Sequence, residues 1–133
     1  MPPVSKSPKR SKGEATRRAV LGDAHVDRAK AATTAFDEPF QALITETAWS
    51  QLWSRKEWSK RDRSIVTIAL LAALGHHEEL AMHIRATART GATEADVREA
   101  LLHVAVYAGV PAANTAIRIA KQVFAEMKTG KAE

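Results

Sequence analysis

The sequence contains no cysteine and few aromatic residues: three Trp, three Phe and one Tyr in 133 residues. The lack of cysteine excludes disulfide bonds, thiolate metal ligands and thiol redox chemistry. Apolar residues make up 45% of the chain, and many of them are alanine. Because a sheet would be rich in β-branched and aromatic residues instead, this composition favours close-packed helices.

Long hydrophobic runs are also missing. No segment reaches the roughly 18 apolar residues that a membrane-spanning helix needs. The N-terminus is basic but has no apolar stretch typical of a secretory signal. We therefore expect a cytoplasmic protein with no membrane partner, and its length suits one domain with a real core.

The net charge of +5 is concentrated at one end of the chain. Four basic residues and no acid lie in the first thirteen positions, MPPVSKSPKRSKG. We expect residues 1–13 to be a disordered basic tail and residues 14–133 to form the domain. Such a tail can bind nucleic acid or anionic lipid. Without aromatic groups for stacking on bases, a solubilising extension is the preferred interpretation, so no nucleic-acid partner is expected.

Helix start and stop signals divide the remaining chain into six or seven helices. Ser59 with Asp62, and Thr93 with Asp96, are typical of N-caps with an acidic partner three residues later. No period-2 alternation indicates a strand, so the predicted fold class is all-α. The glycines expected to interrupt or end helices are Gly22, Gly75, Gly91 and Gly130.

Two predicted helices carry informative apolar patterns. The helix that begins near Asp37 has Trp49 and Trp53 four residues apart and so on one face, which favours a place in the core or an interface over stacking on a flat ligand. Residues 64–74 form a helix that is apolar all round, which predicts a central position or a subunit interface. In the helix that begins near Asp37, the side predicted to face inward comprises Phe40, Leu43, Ile44, Thr47 and Leu52.

A polar stripe follows the apolar helix. His76, Glu79 and His83 are spaced to lie on one helical face. Glu79 and His83 could act as a general acid–base pair or be an ordinary exposed pair, and the spacing alone favours the exposed pair. Three such ligands could also hold a metal, but His-Glu-x-x-His is absent because position 81 is Ala, and no metal is expected. Arg61, Arg63 and Arg85 bracket the stripe, as residues that bind a dianionic substrate would.

Several motifs together resemble one known family. They are RRAVLGDAHVDR at 17–28, Phe40-Gln41 with Leu43-Ile44-Thr45 and Ala48-Trp49, Arg63-Ser64, Glu78-Glu79-Leu80 with His83 and Arg85, and YAGVPAAN at 107–114. In this order they resemble the carboxymuconolactone decarboxylase family, over residues 14 to about 127. The resemblance implies an AhpD-like all-α fold assembled as a homotrimer or homohexamer.

The resemblance also implies a reaction. It is the cofactor-free decarboxylation of 4-carboxymuconolactone (γ-carboxymuconolactone) to β-ketoadipate enol-lactone in protocatechuate catabolism. The peroxidases that share this fold need a Cys-x-x-Cys pair. In this chain His76 and Glu79 stand at those positions, which excludes the peroxidase activity.

The resemblance implies roles for the stripe and its neighbours. Decarboxylation leaves a dienolate, whose oxygen must be stabilised and whose α-carbon must be protonated. His83 is the expected proton donor, and Glu79 is the residue expected to orient it.

The remaining expected site residues bind the dianionic lactone. Arg63 and Arg85 are expected to hold its carboxylates, and Tyr107 or Asn114 to polarise its carbonyl. His76 stands where the family usually has arginine, so one carboxylate contact is expected to be weaker or pH-dependent.

Two other readings remain open. The chain could act as a decarboxylase or isomerase of a related lactone or β-keto acid. It could also be a non-catalytic helical assembly protein whose basic tail binds an anionic partner. Deleting the tail separates the two classes, because an enzyme keeps its turnover whereas a tail-dependent binder loses its partner.

Overall fold

The computed structural model describes residues 7–130, and every regular element in this range is helical. The elements are α1 (Pro8–Leu21), α2 (Asp23–Ala32), α3 (Glu38–Ile44), a π-helix (Thr45–Trp53), α4 (Lys60–Leu74), α5 (His77–Arg85), α6 (Thr87–Thr90), α7 (Glu94–Tyr107) and α8 (Val110–Lys128). The all-α prediction is confirmed for this range. The helices outnumber the predicted six or seven because a predicted helix over residues 77–89 is split at Ala86 and α3 continues into the π-helix. None of these helices is both long and apolar enough to cross a bilayer.

The helices group into two compact units, one ending at Glu57 and the other beginning at Trp58. In the first unit, α1 begins at Pro8, so the predicted disordered tail is wrong for residues 7–13. Ser7 accepts a hydrogen bond from the Arg10 backbone N–H at 3.0 Å and donates one to Glu46 at 3.0 Å. Arg10 pairs with Glu38 at 2.7 Å. Partners far along the chain therefore order this segment, and residues 1–6 lie outside the described range.

Gly13 allows α1 to pack closely on the π-helix. A Cβ at Gly13 would overlap the backbone carbonyl of Thr45, so a larger residue would push the two helices apart. Thr45 donates its hydroxyl to the Gln41 carbonyl at 2.7 Å, which is a local alternative to regular helical bonding. The contact places Thr45 inside the unit.

Trp49 and Trp53 are buried with ring centroids 5.4 Å apart, which confirms that they belong to the core. The predicted inward side of this helix is wrong, because Phe40, Leu43 and Leu52 are all more than half exposed. Packing against α1 determines which face of α3 and the π-helix is buried. The spacing of apolar residues in the sequence does not predict this packing. The buried residues of the π-helix are Thr45, Trp49, Ser50 and Trp53.

The second unit has an apolar core between α4, α5, α7 and α8. Its caps match the prediction: Ser59 accepts from the Asp62 N–H at 3.1 Å, and Thr93 with Asp96 forms a reciprocal capping box. Gly75 ends α4 with a left-handed φ of 76°. The core cluster comprises Ile68, Ala72, Leu80, Ile84, Val97, Leu101, Val104, Ala113, Ala116, Ala120 and Val123.

Helix α4 is not buried on every side within one chain. Ile68 is fully buried, but Val66, Leu70 and Leu74 are 40%, 56% and 67% exposed. The predicted central position is therefore wrong. The alternative prediction, a subunit interface, accounts for an apolar stripe that faces solvent in the single chain.

Candidate functional site

The predicted polar stripe lies on α5. His76 is the residue before the helix, Glu79 is in the first turn and His83 is in the last turn. Leu80 and Ile84 on the same helix are 0% exposed, and they join the core that packs α5 against α4 and α8. The orientation of α5 is therefore set by apolar packing, and the polar residues follow from it.

Burial separates the three residues of the stripe. His83 is 7% exposed and is the one titratable side chain among the buried polar residues of 7–130. His76 and Glu79 are exposed. Glu79 precedes His83 by one helical turn and so lies on the same side of α5. The result is an imidazole at the edge of the core with a carboxylate nearer to solvent, an arrangement suited to proton transfer.

Arg63 lies in the first turn of α4 and is partly buried. Its guanidinium carbon is 5.9 Å from the centroid of the Trp58 ring, a cation–π contact that orients the side chain. The next residue, Ser64, is fully buried, and its hydroxyl has no hydrogen-bond partner among residues 7–130. Sequence reasoning missed Trp58, which belongs to no motif, and it named Ser64 only as part of the Arg63-Ser64 motif without assigning it a role.

Arg85 is directed away from the face that carries His83. Arg85 is two positions after His83, which is about 200° around a helix with 3.6 residues per turn. The guanidinium lies 3.6 Å from a carboxylate oxygen of Glu126 on α8. Both residues line a shallow groove of about 280 Å³ between α5 and α8. Glu126 was not anticipated, since its partner is 41 positions away.

Tyr107 is the last residue of α7 and Asn114 lies in the second turn of α8, and both are exposed. The Tyr107 ring stacks on His103 with centroids 6.0 Å apart. Asn114 precedes Glu126 by twelve residues on α8, which is about 18 Å along the helix axis. Asn114 and the contact between Arg85 and Glu126 therefore lie towards opposite ends of α8.

Arg61 has a structural role instead of a place in the site. It binds Asp96 through two hydrogen bonds, at 2.9 Å and 2.6 Å. The hydrogen bond from the Thr93 backbone N–H and the Arg61 guanidinium lower the pKa of Asp96, and Asp96 raises the pKa of Arg61. The pair joins the start of α4 to the capping box of α7.

The metal alternative finds no support in the geometry. No group of three or more His, Asp or Glu side chains within residues 7–130 is arranged to hold a metal ion. His76, Glu79 and His83 share a helix face without forming such a group.

Comparisons with known proteins agree with the pattern of motifs. The sequence model of the carboxymuconolactone decarboxylase family matches residues 38–122. The 4-carboxymuconolactone decarboxylase of Acinetobacter baylyi is 42% identical over 115 residues, covering 86% of each chain. The nitrosuccinic acid decarboxylase of Metarhizium robertsii is 36% identical over 115 residues, covering 86% of this chain and 80% of its own.

Proposed function

Because the chain belongs to the carboxymuconolactone decarboxylase family, we propose that it is a decarboxylase that converts 4-carboxymuconolactone to β-ketoadipate enol-lactone and carbon dioxide. Both relatives described above are decarboxylases by name, and one is named for this substrate. The structural observation that carries the proposal is the buried imidazole of His83 on α5, one turn after Glu79.

The proposed reaction needs no external electron acceptor. Cleavage of the carbon–carbon bond releases carbon dioxide, and the electron pair passes through the ring double bond into the lactone carbonyl to give a dienolate. The protein then has to stabilise the enolate oxygen and deliver one proton to the α-carbon. For this reason we propose that no cofactor takes part.

His83 is the proposed proton donor, and Glu79 is the proposed orienting partner. A proton donor works best when its pKa lies near the working pH, and histidine meets this condition without extreme shifts. Burial of His83 keeps the imidazole fixed by the α5 core packing. Exposure of Glu79 leaves the same helical face open to an incoming substrate.

The carboxylates of the substrate require cationic partners. Arg63 is the proposed ligand within the chain, since Trp58 orients its guanidinium. His76 is a further proposed contact from the start of α5. Arg85 contacts Glu126 near the end of α8, about 18 Å along that helix from Asn114, so we propose that Arg85 and Asn114 meet the same substrate across a subunit boundary.

Self-association is therefore part of the proposal, as a homotrimer or homohexamer. The exposed apolar stripe Val66, Leu70 and Leu74 on α4 supports it, because a monomer would leave this surface in water. Measuring the mass of the wild-type protein by analytical ultracentrifugation tests it, and a monomer at micromolar concentration would contradict it.

An ultraviolet assay on enzymatically prepared 4-carboxymuconolactone tests the activity. We expect turnover by the wild type and a kcat lower by about 10²–10⁴-fold in His83→Ala, the usual contribution of a general acid. The matched control is His25→Ala, which removes a partly exposed histidine from α2 of the first unit, outside the proposed site, and is expected to keep turnover.

Two outcomes would contradict the proposal in different ways. If the wild type turns over nitrosuccinic acid but not the lactone, the substrate is wrong and decarboxylation stands. If folded His83→Ala, checked by circular dichroism, keeps full activity, the assigned role of His83 is wrong. His83→Gln, which retains a polar side chain of similar size, shows whether loss of activity reflects chemistry or packing.

A further inference from the structure

An apolar groove of about 590 Å³ runs along the surface between α7 and α8 of the second unit. Val97, Leu101 and Ala120 of the core form part of its floor, and they are at most 7% exposed. Leu102 and Ile117 line it while remaining 49% and 40% exposed. Such a surface on a single chain is typical of a docking site for an apolar helix face.

The rim of the groove is mainly basic. Arg98, Lys121 and Lys128 line it together with one acid, Glu94. Lys128 lies 3.2 Å from Glu94 and Arg98 lies 3.8 Å from Glu99, so Lys121 supplies most of the uncompensated positive charge at the rim. The groove therefore suits a partner that combines apolar anchors with acidic flanks.

The first unit of the same chain has a segment with these properties. Phe36, Phe40 and Leu43 are 95%, 58% and 57% exposed. Phe40 and Leu43 lie three residues apart on α3, and Phe36 stands just before its N-cap. Residues 36–46, FDEPFQALITE, contain three acids and no basic residue, and since Glu38 pairs with Arg10, the remaining negative charge belongs to Asp37 and Glu46.

The segment and the groove also match in length. From Glu38 to Ile44, α3 is ~9 Å long, and Phe36 extends the segment by the turn before it. The α7 wall of the groove extends from Glu94 to Leu102, which is ~12 Å at the same rise per residue. Phe40 and Leu43, at i and i+3 on α3, have a spacing with which amphipathic helices enter grooves.

We propose that Phe36, Phe40 and Leu43 of one copy dock in the α7–α8 groove of a second copy. This inference rests on the proposed self-association and specifies one pair of surfaces through which copies meet, separate from the apolar stripe on α4. A second copy is the occupant because every chain carries one acidic apolar segment and one basic apolar groove. The contact joins two different surfaces, so repeating it closes a ring when the rotation between copies permits.

Disulfide cross-linking tests the contact directly, because the natural chain has no cysteine to interfere. A tagged Phe40→Cys chain is mixed with an untagged Leu102→Cys chain and oxidised under mild conditions. We expect a disulfide-linked heterodimer as the main product. The matched control pairs Phe40→Cys with Leu74→Cys, another exposed leucine outside the groove, and we expect at least tenfold less heterodimer.

Mass measurements on variants give a second readout. Phe40→Asp should raise the dissociation constant of self-association at least tenfold, since it places a charge against the apolar floor. Lys121→Glu should weaken association too, by removing the favourable charge at the rim. Leu74→Asp on α4 should leave the cross-link between Phe40→Cys and Leu102→Cys in place.

The outcomes separate this inference from the proposed function. If the wild type is an oligomer and no Phe40–Leu102 cross-link forms, the docking proposal is wrong and self-association stands. If the chain is a monomer, self-association is wrong as well, while turnover of the lactone is still judged by its own assay. If a single chain carrying both cysteines closes on itself in dilute solution, the occupant is the same copy and the proposal is overturned.

Discussion

Each of the two compact units is stabilised internally by a different balance of interactions. In the first unit, charged and polar side chains link helices beside a small set of buried apolar residues, whereas the second unit has a larger core of eleven buried apolar residues. The pairs between helices of the first unit include Arg10 with Glu38, Lys30 with Glu14, and Arg18 with Asp23 and Asp27. Thr16 and Ser54 also share a hydrogen bond at 2.7 Å.

This difference has a physical consequence. Apolar packing holds helices at fixed positions, because close-packed side chains do not tolerate voids. Surface ion pairs contribute little free energy and weaken with salt. His83 lies on α5, which is held in place by apolar packing. The proposed proton donor is therefore positioned by the more rigid of these two kinds of interaction. The comparison predicts that the units respond differently to cavities and to salt.

The largest effect is expected from a cavity in the second unit. Leu80 is 0% exposed on α5, and Leu80→Ala should lower the free energy of unfolding by about 2–5 kcal/mol. The control is Leu52→Ala in the π-helix, 51% exposed, which should change it by about 0.5 kcal/mol or less. Urea unfolding measures both. Equal losses in the two variants would mean that α5 is not held by this core.

A smaller effect on the free energy of unfolding is expected at Gly13 in the first unit, where alanine should destabilise the protein instead of stabilising it. Replacing a helical glycine by alanine ordinarily stabilises by about 0.5–1 kcal/mol. Because a Cβ here overlaps the Thr45 carbonyl, Gly13→Ala should instead destabilise by about 1–3 kcal/mol. Ala15→Gly, at an exposed position of α1, measures how much alanine and glycine differ in their effect on the free energy of unfolding in this helix when no packing contact is involved. Stabilisation by Gly13→Ala would show that α1 and the π-helix do not pack closely.

How far the sequence determined these features depends on whether their causes are local. The capping residues Ser59 and Thr93, and the helix ends at Gly75 and Gly91, were predicted correctly because a cap is decided within a few residues. The order of residues 7–13 was missed, since it depends on Glu38 and Glu46, which are far along the chain.

The candidate site shows the same division. The placement of Glu79 and His83 on one helix followed from their spacing. The burial of His83 did not, because it depends on how α5 packs against α4 and α8. The motif grouped Arg85 with the polar stripe. In the structure its side chain lies on another face of α5 and contacts Glu126, because a step of two positions from His83 is about 200° around the helix. The roles of all these residues stay predictions.

Acid should weaken the charged link between α4 and α7. The folded-state pKa of Asp96 lies below its ordinary value of 3.8, through the Thr93 backbone N–H and Arg61. Its stabilising contribution is thus complete above pH 3.8 and is lost as the pH falls through the folded pKa. Asp96→Asn should be less stable than the wild type at pH 7, and the difference in urea midpoint should shrink towards pH 2. Arg61→Met should show a smaller acid effect that does not vanish, because the Thr93 hydrogen bond remains.

The smallest effect is expected from a single ion pair of the first unit. Arg10 and Glu38 are 2.7 Å apart and partly exposed, so Arg10→Gln should cost about 0.2–1 kcal/mol at low salt. The loss should nearly disappear at ~1 M salt, where screening acts over about 3 Å. Leu80→Ala, measured alongside, should keep its full cost at both salt concentrations because its origin is apolar. If the two variants respond equally to salt, the contrast between an ionic first unit and an apolar second unit is wrong.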